Sequence, residues 1–139
     1  MDDLEKAKSL LSGEITCAIS RGDMVYVSSY RGVRPLLMWI KEGKDLSGFS
    51  VAGKVIGKAA ASLMVYAGIK CAFGLTMSKP GLDYLTKNNV KASYGTLVEA
   101  IMNHAGDDYC PMEKAVAPCL SPSDCYLAIT KKVVEMNKK

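Results

Sequence analysis

A mixed α/β domain, with a sheet packed between helices, is the fold class this sequence predicts. Three observations carry that expectation. Two short apolar strands meet at Arg21-Gly22-Asp23, so the chain forms an antiparallel hairpin near its start. Helical and strand patterns alternate after it, which implies parallel strands joined by crossover helices. The 139 residues, 49% apolar and 23% charged, have the size and make-up of one globular domain spanning 1–139.

The elements follow in order. Asp2 to Ser12 reads as a helix, acidic at its start, apolar at Leu4, Ala7, Leu10 and Leu11, and stopped by Gly13. Ile15–Ser20 and Met24–Ser29 are the hairpin strands. Pro35 is a good first helical residue; Leu36, Leu37, Trp39 and Ile40 form that helix's apolar face, and Gly43 ends it. Asp45 to Phe49 reads as a loop. Ser50 is the expected N-cap of a long, mostly buried helix running to about Ala67 and closed by Gly68. Gly53, Gly57 and Ala61 remove bulk along one line of that helix, so a neighbouring backbone is expected close by.

Ile69 to Thr76 reads as a buried strand. Pro80 opens a helix ending near Asn88-Asn89, and Val90 to Tyr94 is a short strand. Thr96 to Asn103 is expected to be helical, and Asn103 to Tyr109 a polar loop holding the only histidine, His104. Cys110-Pro111-Met112-Glu113 opens a further helix, and Pro122 starts the last one. Trp39, Ile56, Leu63, Phe73, Leu85, Leu97 and Ile101 are the expected core.

Composition excludes several classes. The net charge of +4 gathers partly in Lys131, Lys132, Lys138 and Lys139, and no dense basic stripe with interleaved aromatics occurs. Nucleic acid is therefore not an expected partner. The longest apolar stretch, Ala59 to Ile69, is too short to span a bilayer, so no membrane is expected. The acidic start Met1-Asp2-Asp3-Leu4-Glu5 does not read as a signal peptide. Five cysteines at irregular spacing, with no C-x-x-C, fit free thiols in a reducing compartment. These readings together place the protein in the cytoplasm. Whether it forms a homo-oligomer is left open.

Three constellations carry chemistry. Lys54, Lys58 and Ser62 stand at i, i+4 and i+8, one face of the expected helix. Two ammonium groups beside free N–H groups at a helix start suit phosphate or carboxylate; a solvated edge is the plainer explanation. Cys110 stands at a second helix start, where a thiol gains thiolate character, with Glu113 three residues on. That pair reads either as nucleophile and proton carrier or as a cap, Glu113 reaching back to the Cys110 N–H. Arg31 and Arg34 flank Gly32 at a strand end, where α/β folds bind ligands. His104, Cys110, Cys119 and Cys125 match no standard zinc spacing, so no metal and no cofactor is expected. The phosphate-loop, dinucleotide, serine-hydrolase and metalloprotease motifs do not occur.

Four of these segments carry a family resemblance. They are Arg31-Gly32-Val33-Arg34-Pro35-Leu36-Leu37 with Trp39, and Gly48-Phe49-Ser50 with Ala52, Lys54, Val55, Gly57, Lys58 and Ala59-Ala60-Ala61. Ser93-Tyr94 and Cys110-Pro111-Met112-Glu113-Lys114-Ala115-Val116 complete the set. Over roughly Leu10 to Val116 the chain resembles a small prokaryotic family of unknown function whose fold is grouped with cytidine deaminases. The resemblance implies a cytidine-deaminase-like three-layer α-β-α sandwich. It also implies that the helix starts near Lys54 and at Cys110 face each other across one cleft. Zinc deaminases carry H-x-E or C-x-E at the first start and P-C-x-x-C at the second; this chain has neither. The expectation is a small anionic or nucleotide-like ligand bound by Lys54, Lys58, Arg31, Ser50 and Tyr94, without zinc-dependent deamination. The alternatives are a metal-free enzyme using Cys110 as nucleophile and Glu113 as proton carrier, or a non-catalytic protein-interaction domain.

Overall fold

A computed structural model describes residues 2–103 and 105–137. The order is α1 (Asp3–Leu10), β1 (Cys17–Arg21), β2 (Met24–Ser28), α2 (Arg34–Lys41), β3 (Ser50–Ile56), α3 (Lys58–Ala67), β4 (Cys71–Ser78), α4 (Lys79–Lys87), β5 (Lys91–Val98), α5 (Pro111–Val116) and α6 (Pro122–Asn137). The strands form one mixed sheet in the order β2-β1-β3-β4-β5. β1 pairs antiparallel with β2 and β3, whereas β3, β4 and β5 run parallel. Gly22 turns the hairpin with φ 59°, a left-handed conformation that glycine adopts without strain.

Neighbouring residues of a strand point to opposite faces, and the clusters follow that rule. Ala18 and Ala52 pair across β1 and β3 and meet Ala7 of α1 on one face. Ile19 and Val51, the next pair, join the main core on the other face. That core is built from α2 (Leu36, Leu37, Trp39), α3 (Leu63, Met64), α4 (Leu85), α5 (Val116) and α6 (Ile129). The sandwich is therefore uneven, with α1 alone on one side. No helix among the described residues is long and apolar enough to cross a membrane.

Two expected elements change. The helix predicted from Ser50 to Ala67 is a strand and a shorter helix, β3 and α3, parted at Gly57. β3 is the middle strand, buried on both faces at Ser50, Val51, Ala52 and Gly53. Such a strand reads as an unbroken run of apolar and small residues, which sequence periodicity cannot separate from a buried helix. The helix expected from Thr96 to Asn103 is absent; β5 continues to Val98, and Met102 then forms an isolated bridge with Tyr109. Of the expected core, Trp39, Ile56, Leu63 and Leu85 are buried. Phe73, Leu97 and Ile101 are only partly buried, because one layer covers Phe73 and the other two lie in or beyond the edge strand.

Candidate functional site

β3 ends at Ile56, and α3 begins two residues later at Lys58. Gly57 between them is extended (φ −108°, ψ −171°) and has no side chain to cap the helix. The first N–H groups of a helix lack partners within it. Here they find one on another helix. Glu113 Oε1 accepts from the Lys58 N–H at 2.8 Å, and Oε2 accepts from the Ala59 N–H at 2.9 Å. A carboxylate at a helix start is also favoured by the helix dipole. A Cβ on Gly57 would lie 2.5 Å from Glu113 Oε1, so the glycine is required by this approach and not by its dihedral angles. Gly81 in α4 packs on the same turn, where a Cβ would lie 3.0 Å from the Gly57 carbonyl carbon.

The Lys58 side chain reaches back to the far end of α5. Its Nζ donates to Ala117 O at 3.1 Å and to Cys119 O at 2.8 Å. One residue thus grips both ends of α5, by its amide at Glu113 and by its ammonium at the C-terminal carbonyls, where a cation suits the dipole. Tyr84 lies under the ammonium, its ring centroid 5.8 Å from Nζ, and its hydroxyl donates to Leu120 O at 3.0 Å. Burial, with the neighbouring Cys125, pushes the Tyr84 phenol up to about 12. Burial also raises Cys125 and Glu113. For Glu113 the two amide bonds and the Lys58 charge act in the opposite direction and offset only part of the burial effect.

The two helix starts do converge, through Glu113 of α5 on the first turn of α3. Cys110 is the N-cap of α5, partly exposed, with no side-chain cap bond. Its N–H donates to Ile101 O, so the expected reach of Glu113 back to Cys110 is replaced by the reach to α3. His104 lies outside the described residues. Lys54 and Lys58 do not share a helix face, because Lys54 is on β3. Lys54 Nζ donates to Gly13 O at 2.6 Å on the α1 side, whereas Lys58 Nζ meets the end of α5 across the sheet.

Ser50 begins β3, about 20 Å from Ile56 at the rise of a strand, and its buried hydroxyl is hydrogen-bonded with Cys71 Sγ at 3.0 Å. Ser62, expected beside the lysines, is buried and donates to Ala59 O. Arg31 is exposed in the turn after β2, at the same end of the sheet as the start of α3. Tyr94 is half-exposed on β5, in register with Gly74. The α4 residues Tyr84 and Gly81, which complete the site, carry no sequence signal beyond an ordinary helix start.

The arrangement holds one anion by two convergent N–H donors with a cation alongside. Among the described residues no group of three or more His, Cys, Asp or Glu could hold a metal ion. With both Glu113 oxygens engaged on α3, the described residues do not fit a zinc centre.

A comparison with curated proteins gives no match. Among solved structures, a DUF1893 family protein (TM1506) from Thermotoga maritima shares the fold, with a TM-score of 0.78 and 24% identity over 85% of this chain and 80% of its own. The dCMP deaminase of the cyanophage S-TIM5 is similar at a TM-score of 0.46 and 13% identity, over 66% of this chain and 93% of that one. A diaminohydroxyphosphoribosylaminopyrimidine deaminase/5-amino-6-(5-phosphoribosylamino)uracil reductase from Thermotoga maritima is similar at 0.47 and 14%, over 68% of this chain and 35% of that one. Residues 5–133, nearly the whole chain, match one family, and the chain belongs to it: TM1506, a domain of unknown function (DUF1893).

Proposed function

We propose that this chain binds a small anionic, nucleotide-like ligand at the start of α3, in competition with Glu113, and does so without zinc-dependent deamination. The observation that carries the reading is the paired acceptance by Glu113 of the Lys58 and Ala59 N–H groups. Two N–H donors that receive both oxygens of a carboxylate have the spacing to receive two oxygens of a phosphate. Lys58 supplies the positive charge, and Arg31, at the same end of the sheet, is a candidate for the ligand's outer part. Lys54 and Ser50 support β3 in this reading, since Lys54 Nζ lies on the α1 side of the sheet and Ser50 at the far end of β3. Glu113 acts as a resident plug: the ligand must displace it, and displacement loosens the hold of α3 on α5.

Thermal unfolding tests this with inorganic phosphate, acetate and a panel of nucleoside monophosphates, against chloride at equal ionic strength. In Glu113→Ala the vacated N–H groups are free, so phosphate or acetate raises Tm; in the wild type only a nucleotide of sufficient affinity does so. Lys58→Met removes both responses, and Lys54→Met keeps them. Glu113→Ala that gains nothing from any anion over chloride overturns the site. A nucleotide response surviving Lys58→Met moves the ligand elsewhere.

A further inference from the structure

We propose that the open edge of β5 pairs antiparallel with β5 of a second copy of this chain, continuing the sheet across a twofold axis at Gly95. β5 is the last strand of the sheet, and Lys91, Ser93, Tyr94, Gly95 and Thr96 along it are all exposed. Proteins blunt such edges with short strands, proline, repeated lysine or a covering element. This edge is eight residues long, has no proline, and carries its one lysine at its first position. Of its sequence, KASYGTLV, Tyr94, Thr96 and Val98 are residue types that favour strands. An unprotected edge of this kind is a template for another strand, and the same strand of a second copy is the partner the charges fit.

The register follows from three pairings. With the axis at Gly95, Lys91 of each copy faces Glu99 of the other, and Tyr94 faces Thr96. Lys91 and Glu99 are both exposed, so the two ends of the pairing carry opposite charges twice by symmetry. Tyr opposite Thr is an aromatic–β-branched cross-strand pair, which stabilises antiparallel ladders. Within one copy Glu99 also meets Lys79 at 2.6 Å, through Oε1, which leaves its other oxygen for the partner's lysine. Gly95 is required inside the chain, because a Cβ there would lie 2.8 Å from Leu75 O. Its bareness also keeps side chains off the proposed axis. Eight residues at about 3.3 Å each give a contact about 26 Å long, at the small, concentration-dependent end of protein interfaces.

Sedimentation velocity over a dilution series tests the pairing, with Lys91→Glu, Glu99→Lys and the double exchange compared at the dilution where the wild type is half dimeric. The wild type dimerises, and each single reversal sets like charges together at both ends and weakens the dimer by about tenfold. The double exchange restores opposite charges and recovers the dimer. Amide hydrogen exchange slows in β5 as concentration rises and stays constant in β2, the other edge. A wild type that remains monomeric with unchanged β5 exchange overturns the proposal, and so does a dimer insensitive to both single reversals. The outcome is independent of Glu113 and Lys58, so it stands or falls separately from the anion site.

Discussion

Replacing Glu113 by alanine tests the central contact of the fold. The substitution leaves the Lys58 and Ala59 N–H groups without their acceptor, on a partly buried helix start. Loss of a capping acceptor costs about 0.5–2 kcal/mol, and each partly buried donor left without a partner adds about 1–2 kcal/mol where water cannot reach it. Two effects reduce the sum: water enters the space the side chain leaves, and a buried carboxyl no longer has to be desolvated. A net loss of about 2–3 kcal/mol remains, which for a chain of this size lowers Tm by about 7–10 °C. Glu113→Gln is expected to do no better, because an amide offers one acceptor and turns an amino group towards the second N–H. Circular dichroism melts and urea titrations of both variants measure the loss, with Glu135→Ala on the exposed face of α6 as the control. Glu113 variants no less stable than that control would show that the carboxylate does not cap α3.

Glu113 also sets a pH dependence. Its folded value is raised above the ordinary 4.5, so its proton binds the folded state more tightly than the unfolded one. The contribution of that proton is full below 4.5 and is lost as pH rises through the folded value. The Tm gap between wild type and Glu113→Ala therefore widens in acid and narrows as pH rises through the folded value; a gap that widens with rising pH would mean that Lys58 and the two amides outweigh burial. Gly57→Ala should push the Glu113 carboxylate off α3, since the new Cβ would meet it at 2.5 Å. Its cost and that of Glu113→Ala then overlap, and a double-mutant cycle by urea unfolding reads a double variant less destabilised than the sum by at least about 1 kcal/mol. Additive losses would separate the glycine from the carboxylate.

Much of the fold was legible along the chain because local chemistry determines it. Asp2 caps α1 by accepting from the Glu5 N–H, Gly22 turns the hairpin, Pro35, Pro80, Pro111 and Pro122 stand in first helical turns, and Gly68 closes α3 in the left-handed conformation. Each of these signals acts within a few residues, so sequence suffices. The convergence of two helix starts was expected from the family resemblance, and both Glu113 and Lys58 were singled out.

Tertiary structure alone decided the rest. Ser50 to Ile56 became a strand because β1 and β4 flank it and supply its backbone partners, which no property of its own small and apolar residues specifies. That one change of period separated Lys54 from Lys58 and took Ser50 to the far end of β3. The role of Glu113 was likewise invisible: a glutamate three residues into a helix most simply caps its own helix, yet this one caps α3, 54 and 55 residues earlier in the chain. Which N–H groups a carboxylate satisfies depends on which backbone is brought within about 3 Å of it, and that is a property of packing between distant segments.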